Sequence, residues 1–484
     1  MWYVVSVIFY FYITAKKLRI QNTKGVKKMN PTELKKCYFL YYQNQLVTEI
    51  QKKISFNGTS ITPTNRKQKT DICNIITSVL ISACVTKKYK YDYYVYNGIF
   101  YELLNDNNFM WFICNTATNS GINLDFNLCD KVMAEVKLRT PESDIEPNDN
   151  RYSLCLNGYF DNTTGQMFTN PINYFPTLCI EAQFIPNQQL YHPVMDKFLD
   201  DISGGDTVLI KRIWEVIGYC ISSDCSAKRI FMLVGASGDN GKSTFLNFLC
   251  SLISWQGISE MSIDTLVGSR FSQAELKGKR IEISADEGLL NLNTNHIAIL
   301  KKLSGNDPIN VEVKHKSAIR FSPTAKILIA SNHEIGAAYT ACDPAFARRI
   351  CSLPFDVKIP KEQQDPYLIQ KLDTERDAIV TEALLHYLEV RNRNYIFTGD
   401  DVYDNNLYFY PNNPQYSLIA DFSNSYCNFG NDLFAYTQEL YSSFADIYGN
   451  NVFRDITAFS QAFYRANQNI IRLVLKLQIQ CCKL

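Results

Sequence analysis

The chain lacks both a strong net charge and a hydrophobic run long enough to cross a membrane. Its 49 Lys and Arg residues face 48 Asp and Glu residues, a formal net charge of +1, so no overall field draws it to nucleic acid or to an anionic membrane. The apolar segment at residues 1–14 is shorter than the roughly twenty residues of a membrane helix. Its positive charges follow the apolar run, whereas a signal peptide carries them first. We therefore expect no membrane partner. Residues 1–28 are interpreted either as a buried strand with its connection or as a start assigned too early, with Met29 the true start.

Regularly spaced cysteines are also missing. The 15 cysteines and 5 histidines form neither paired C-x-x-C motifs nor a matching histidine cluster, the patterns typical of zinc sites. We therefore expect reduced, intracellular thiols rather than a disulfide framework or a metal site. Hydrophobic content of 46% and charged content of 20% are typical of globular proteins, and 484 residues correspond to about three domains.

A glycine-rich loop near the middle of the chain lies between a predicted strand and a predicted helix. Residues 230–234 are apolar, as in a buried strand, and a helix is predicted from Lys242. Backbone N–H groups in such a loop cradle nucleotide phosphates, while the lysine neutralises the β/γ oxygens and the next hydroxyl binds Mg²⁺. Ala236 stands where the usual spacing has a glycine, and an ordinary strand-turn-helix is the alternative. The predicted ATP-binding residues are Gly235, Gly238, Asn240, Gly241, Lys242, Ser243 and Thr244, with Ser243 also a metal ligand.

Further polar residues follow downstream in the order that an ATPase requires. Asp286 and Glu287 end a second predicted strand, where the first carboxylate would hold hydrated Mg²⁺ and the second would polarise the attacking water. Asn332 ends a third predicted strand and would orient the water or sense the γ-phosphate. Arg348 and Arg349 would stabilise charge on the phosphoryl group of a neighbouring subunit's nucleotide. Taken singly, the acidic pair is also typical of an acidic turn, the asparagine of a helix cap or turn, and the arginines of a charged surface. Together and in this order, they favour ATP hydrolysis.

Residues 305–321 predict a β-hairpin between the second and third strands. Apolar residues alternate on both sides of Lys314, His315 and Lys316, which lie at or near the tip. In a ring of subunits this tip would project into the central channel and contact the DNA backbone, because lysine supplies charge without reading sequence. A solvated surface hairpin is the alternative.

These motifs, together with several flanking blocks, resemble the viral and phage-satellite primase-helicases of helicase superfamily 3. The resemblance extends from about residue 157 to residue 464 and includes the blocks LNGYFDNTTGQMF, IGYC, GDNGKSTFL, FSQAELKGKR, LSGNDPI, SNHE and RRI. It implies an ATP-driven DNA helicase that uses Mg²⁺ and assembles as a ring homo-oligomer, expected to be a hexamer. The implied partners are single-stranded and forked DNA and other replication proteins, in the cytoplasm or at a site of viral or plasmid DNA replication.

The expected fold is α/β, with an AAA+ type P-loop core around a mostly parallel sheet. A mixed α/β N-terminal region, with aromatic short strands within residues 91–104, and a helical, winged-helix-like C-terminal region flank this core. Residues 156–168 predict a hairpin, and apolar residues at three- and four-residue spacing predict helices between residues 192 and 220. Further helices are predicted at 368–390, 433–445 and 458–466. The predicted units are residues 1–150, of unknown role; 151–225, a hairpin and helical collar; 226–360, the ATPase core; 361–400, its helical tail; and 401–484, the C-terminal region. Residues 1–150 show no acidic metal-binding pair on a strand, so primer synthesis is not expected. The last residues do not resemble a normal wing, and a truncated C-terminus is one interpretation.

Two other functions fit parts of the sequence. A non-motor nucleic-acid-binding protein that holds ATP without translocation would explain the irregular loop and the unusual C-terminus. A small-molecule P-loop kinase is disfavoured, because more than two hundred residues precede Gly235 and such kinases place the loop near the N-terminus. Stimulation of ATP hydrolysis by DNA separates the motor from the non-motor protein.

Overall fold

The computed structural model describes most of the chain from residue 31 onward. The described ranges are 31–169, 174–235, 238–287, 293–312, 318–332, 343–401, 414–430 and 436–449, with short pieces at 452–453, 456, 459–460, 463 and 478–481. The apolar segment at residues 1–14 therefore lies outside the described residues. Within them, no helix combines the length and apolar character needed to span a bilayer.

The N-terminal region packs helices around an apolar core beside a small antiparallel sheet. Helices α2, α3 and α4 each begin after an Asn or Asp, at positions 65, 105 and 125, whose side chain accepts a backbone N–H of the first turn. The strands follow the order β1-β2-β3, which confirms the aromatic short strands predicted within residues 91–104. The elements are α1 (Pro31–Lys53), α2 (Arg66–Ser82), β1 (Thr86–Tyr89), β2 (Asp92–Tyr96), β3 (Tyr101–Leu103), α3 (Asp106–Asn119) and α4 (Phe126–Arg139).

One pair of cysteines departs from the expectation of reduced thiols. Cys114 on α3 and Cys129 on α4 form a disulfide, with their Cα atoms 6.1 Å apart. The expectation was wrong for this pair because it rested on spacing along the chain, whereas the two thiols meet through the packing of neighbouring helices.

A second small sheet follows the N-terminal region. Strands β4 (Tyr152–Cys155), β5 (Gly158–Asp161) and β6 (Met167–Phe168) pair antiparallel in chain order. Between β5 and β6, the Asp161 carboxylate accepts the backbone N–H groups of Thr163 and Thr164, an Asx-type turn. The predicted hairpin over residues 156–168 is thus confirmed, and β4 extends it to three strands.

Two helices lead from this sheet to the core, α5 (Pro193–Ser203) and α6 (Thr207–Ile221). The apolar positions that predicted them are buried, for example Met195, Leu199 and Ile213, so their role in the core is confirmed.

A five-stranded parallel sheet forms the centre of the molecule. Each neighbouring pair of strands is parallel, in the order β13 (Ile350–Pro354), β7 (Ile230–Val234), β12 (Lys326–Ser331), β9 (Ile281–Glu287) and β8 (Ile258–Glu260). Apolar side chains cover both faces in two separate clusters, as parallel sheets require. The expected α/β fold with a mostly parallel sheet is confirmed. The elements are β7 (Ile230–Val234), α7 (Lys242–Ser251), β8 (Ile258–Glu260), α8 (Ile263–Gly268), α9 (Arg270–Gln273), β9 (Ile281–Glu287), α10 (Thr294–Ser304), β10 (Ile309–Val311), β11 (Ile319–Phe321), β12 (Lys326–Ser331), α11 (Pro344–Ala347) and β13 (Ile350–Pro354).

The C-terminal part begins with a long helix that packs on α5 and α6 and continues as helices with a two-stranded sheet. The helix predicted at residues 368–390 is confirmed, whereas the one predicted at 433–445 is found at 437–448. Most of the helix predicted at 458–466 lies outside the described residues. The tail that does not resemble a wing contains a strand, β15, paired with β14. The elements are α12 (Leu368–Asn392), α13 (Pro414–Tyr426), β14 (Cys427–Gly430), α14 (Thr437–Tyr448) and β15 (Gln478–Cys481).

Candidate functional site

Three neighbouring strands of the central sheet end side by side. In the register of the sheet, Ser331 of β12 lies beside Val234 of β7 and beside Glu287 of β9. The glycine-rich loop leaves β7 here, Asn332 follows β12, and Asp286 and Glu287 close β9. Ligands of open parallel sheets bind at the carboxyl ends of the strands. The structure therefore brings the backbone of the predicted loop, the acidic pair and the asparagine to one edge; the side chains of the acidic pair lie outside the described atoms.

The glycine-rich loop is held tightly against the end of β13. The Asn240 side chain donates to the Phe355 carbonyl at 2.9 Å, and the Ile359 N–H donates to the Asp239 carbonyl at 2.8 Å. A Cβ on Gly235 would come within 2.2 Å of the Phe355 carbonyl oxygen, so only glycine fits there without movement. Gly241, at φ +86, adopts the left-handed conformation at the start of α7. Ala236 and Ser237 lie outside the described residues.

Lys242 is the buried centre of this edge. Only 8% of the residue is exposed, and its Nζ donates to the Gly235 carbonyl at 2.7 Å and to Asn332 Oδ1 at 3.2 Å. The ammonium group is thus folded back over the loop and joined to the residue that ends β12. Because the first N–H groups of a helix have no partner within the helix, the start of α7 and the lysine together form an anion-attracting surface.

Two further predicted binding residues occupy the first turn of α7. Ser243 is exposed and Thr244 is half-buried, so the Ser243 hydroxyl is accessible beside the helix N-terminus. Among the residues that the structure describes, no group of three or more His, Cys, Asp and Glu side chains is placed to hold a metal ion. Mg²⁺ at nucleotide sites commonly takes one or two protein ligands and completes its shell with phosphates and waters, a mode that an accessible Ser243 hydroxyl fits.

Arg348 and Arg349 lie at the opposite edge of the sheet. They precede β13, whose first residue, Ile350, pairs with Ile230 at the start of β7. The length of β7 therefore separates them from the loop of the same chain, about 16 Å for five strand residues. Arg348 is exposed, whereas the half-buried Arg349 donates to the Ala345 carbonyl at 2.9 Å. The sequence did not distinguish the two arginines, whereas their different exposure and contacts in the fold do distinguish them.

Asp343 positions the short helix α11, and the sequence analysis missed it. One carboxylate oxygen accepts the N–H groups of Ala345 and Phe346 at 3.0 Å each, while the other accepts the Lys301 ammonium at 2.5 Å. Partial burial opposes ionisation of Asp343, but these hydrogen bonds outweigh it and lower its pKa. The contact joins α10 to the segment that carries the arginines. An Asp followed by Pro is a typical helix start, so the signal was present in the sequence.

The hairpin predicted at residues 305–321 is described only in part. Strands β10 and β11 pair antiparallel, with Ile309 opposite Phe321 and Val311 opposite Ile319, which confirms the predicted hairpin. Lys314, His315 and Lys316 lie outside the described residues, so their DNA-binding role stays a prediction.

The amino edge of the sheet carries two buried cations at the end of a helix. Arg280, before β9, donates from Nη1 to the Ile221 carbonyl at 3.0 Å, and Lys326, at the start of β12, donates from Nζ to the Ser222 carbonyl at 2.6 Å. Each residue is 3% exposed. Burial lowers the pKa of both groups, that of Lys326 to about 8. Ile221 ends α6, so both cations meet the partial negative charge of a helix C-terminus.

Comparison with known proteins singles out the same part of the chain. Residues 233–349 match the model of a protein family described as a family of unknown function (DUF5906), and this span contains all the site residues predicted above. No curated protein matches the chain.

Several solved structures of the NrS-1 C-terminal region are similar to about four fifths of the chain. The A form apo structure of residues 305–718 is 10% identical with a TM-score of 0.47, over 82% of this chain and 90% of that one. A second apo structure of that region is 10% identical with a TM-score of 0.45, over 81% of this chain and 86% of that one.

Proposed function

We propose that the protein is an ATP-dependent DNA helicase of superfamily 3, with an AAA+ type core, that unwinds DNA during replication. The observation that carries the proposal is the contact between Lys242 and Asn332 at the carboxyl edge of the sheet. It joins Lys242, which follows the glycine-rich loop after β7, to the residue that follows the adjacent parallel strand β12. The next strand, β9, ends in the acidic pair beside Ser331.

The bonds of Lys242 give a physical route by which ATP is sensed. Two of its acceptors, the Gly235 carbonyl and the Asn332 amide oxygen, are neutral. A β- or γ-phosphate oxygen is a charged acceptor, and charge-assisted hydrogen bonds are roughly twice as strong as neutral ones. Bound ATP would therefore draw the ammonium away from Asn332. The freed amide could then orient water or contact the γ-phosphate.

The remaining steps of hydrolysis follow from residue type and position. Ser243 and Asp286 would hold Mg²⁺, which supplies charge to neutralise the developing phosphates. Glu287 would polarise the attacking water. Its backbone lies beside Ser331, one residue before Asn332, so base and amide would approach the same phosphate from neighbouring strands.

The position of the arginines supports assembly into a ring as part of the proposal. Because they lie at the edge away from their own chain's loop, they would act on the nucleotide of a neighbouring subunit. Arg348 is the better candidate, since it is exposed while the guanidinium of Arg349 is bound to the Ala345 carbonyl. A hexamer, and passage of single-stranded DNA through its channel along the Lys314–Lys316 tips, are parts of this proposal.

Unwinding of a forked DNA substrate by mixed oligomers tests the proposal. Wild-type protein should displace the labelled strand with ATP and Mg²⁺, and Lys242→Ala should not. Mixing Arg348→Ala with Lys242→Ala should restore part of the ATP hydrolysis, because a mixed interface pairs an intact loop with an intact arginine.

Arg349→Ala mixed in the same way serves as the comparison, with a smaller loss of activity and less restoration. Absence of strand displacement by the wild type, together with absence of restoration in either mixture, would contradict a ring-shaped helicase.

A further inference from the structure

The N-terminal region carries an exposed hairpin in which lysine and tyrosine alternate. Strands β1 and β2 are joined by a tight turn at Lys90 and Tyr91, with Tyr89 opposite Asp92. Residues 87–93 read K-K-Y-K-Y-D-Y, three lysines against one aspartate in a chain whose overall charge is almost zero. Positive charge is therefore gathered locally on this hairpin, where a nucleic-acid backbone could meet it.

The tip of the hairpin presents an aromatic ring to solvent. Tyr91 is 90% exposed, an unusual position for a side chain whose ring is mostly apolar. Beside it, the Lys90 ammonium lies 4.9 Å from the centre of the Tyr89 ring, and the Lys88 ammonium lies 6.0 Å from that of Tyr93. The hairpin thus combines an open ring at Tyr91 with ammonium groups that lie near the neighbouring Tyr89 and Tyr93 rings.

The base of the hairpin is rigidly anchored. Tyr94 and Phe175 pack edge to face with ring centres 5.1 Å apart, and both are buried. The Lys87 ammonium lies 4.6 Å from the centre of the Phe175 ring, and the Lys88 ammonium pairs with Glu142 at 3.2 Å. A rigid base lowers the entropy lost when the tip binds a partner.

In the turn, Lys90 adopts a backbone conformation that is more typical of other residue types. Lys90 has φ +53, in the left-handed region where glycine and asparagine are the usual residues. A lysine at this position costs backbone energy that a glycine would avoid. Strained residues cluster at functional sites, which directs attention to the side chain of Lys90 itself.

An ion pair joins the hairpin to the ATPase core. Asp92, next to the tip, pairs with Lys277, in the connection that leads into β9. Lys277 lies at the amino edge of the parallel sheet, opposite the glycine-rich loop. The tip is thus fixed to the motor core at a site separate from the nucleotide.

We propose that the hairpin tip, Lys90 and Tyr91, binds single-stranded nucleic acid, with an unpaired base stacked on Tyr91 and the Lys90 ammonium against a flanking phosphate. Stacking on an aromatic side chain tolerates every base, and lysines supply charge without reading sequence. The inference rests on the proposed helicase function, since it gives the motor a second DNA contact on the N-terminal region, for which sequence motifs supplied no role.

Binding of fluorescein-labelled oligothymidylate by the full chain, followed by anisotropy, tests the inference. Tyr91→Ala should weaken binding about 5- to 150-fold, the measured range for loss of one stacked base, while Tyr91→Phe should retain binding. A blunt DNA duplex, whose bases are already stacked, should lose much less affinity with Tyr91→Ala. The matched control is Tyr191→Ala, because Tyr191 is also strongly exposed, at 73%, and lies outside the hairpin.

The Lys90→Gly variant distinguishes a loss of oligothymidylate binding from a loss of folding stability. Glycine relieves the left-handed conformation, so the thermal melting temperature should be unchanged or higher. Binding to oligothymidylate should nevertheless weaken, and the slope of log affinity against log salt should fall by about 0.7, the value for one phosphate contact on a single strand.

Tyr91→Ala and Lys90→Gly proteins that both bind oligothymidylate as tightly as the wild type would overturn the inference, as would a wild type that does not bind it. Either result could accompany normal ATP hydrolysis, which would leave the proposed function intact. Conversely, loss of binding in these variants of a wild type that never hydrolyses ATP would contradict the helicase and retain the hairpin as a nucleic-acid contact.

Discussion

The two edges of the central sheet differ in the charge that they attract. At the carboxyl edge, α7 begins at Lys242, and the N-terminus of this helix favours anions. At the amino edge, α6 ends and its carbonyl groups receive the buried Arg280 and Lys326. Because all five strands run parallel, helix starts and helix ends separate to opposite edges. One edge thereby attracts anions, and the other uses buried cations to close the fold.

The Lys242→Ala variant breaks the carboxyl edge and has the largest expected effect. It removes the buried ammonium that would meet the β- and γ-phosphates, so ATP affinity should fall about 100-fold or more, and hydrolysis should be lost. Titration with a fluorescent ATP analogue measures the affinity. Lys302→Ala, an exposed lysine on α10, is the control and should bind as the wild type does. Unchanged affinity in Lys242→Ala would place the nucleotide elsewhere.

The Arg280→Ala variant removes one of the two buried cations at the amino edge. It removes a charged hydrogen bond to the Ile221 carbonyl and leaves a cavity, so the core should lose about 3 kcal/mol of stability. The melting temperature followed by circular dichroism reports this loss. ATP affinity below the melting transition should be retained, because the proposed nucleotide site lies at the other edge. Arg270→Ala, at an exposed arginine, should leave the melting temperature nearly unchanged.

The Glu282→Gln variant extends the comparison of the two edges to a buried acid. Glu282 lies near the amino edge, which holds the buried cations Arg280 and Lys326. Glu282 is fully buried on β9, and neither carboxylate oxygen has a hydrogen-bond partner of normal geometry in the described structure. Desolvation raises its pKa to about 7, although the nearby Ser259 hydroxyl and Met261 N–H oppose the shift.

The sign of its pH dependence follows from that shift. Below the unfolded pKa of about 4.5 the carboxyl is protonated in both states and costs nothing. Between about pH 4.5 and 7 only the unfolded state ionises, so stability falls as pH rises, by about 3 kcal/mol in total. Glu282→Gln should remove this decline, whereas Glu275→Gln, at an exposed position, should keep it. Urea unfolding at pH 5 and pH 8 measures the difference, and equal declines in both variants would contradict the assignment.

The sequence predicted most clearly what depends on neighbours along the chain. The strand before the glycine-rich loop, the helix from Lys242 and the pairing of β10 with β11 were all foreseen, because local periodicity and turn residues determine them. Strands β8 and β13 were not foreseen. Their five or fewer residues carry too little pattern, and their places beside β9 and β7 are set by tertiary packing.

The candidate site shows the same difference between features that local sequence predicts and features that only the fold reveals. Residue types and their order predicted the loop, the acidic pair and Asn332, while the contact of Lys242 with Asn332 spans 90 residues and required the fold. The Asn240 bond to Phe355 and the separation of the arginines from their own loop also follow from strand order, which periodicity does not encode. The disulfide between Cys114 and Cys129 was missed for the same reason.

The most direct test of a DNA-driven ATPase at the carboxyl edge is ATP hydrolysis by the purified chain, with and without single-stranded DNA, beside Glu287→Gln. The account predicts hydrolysis that DNA stimulates strongly in the wild type. Glu287→Gln should still bind ATP but show almost no hydrolysis under either condition. ATP binding without hydrolysis by the wild type, or hydrolysis that DNA does not change and Glu287→Gln does not reduce, would contradict it.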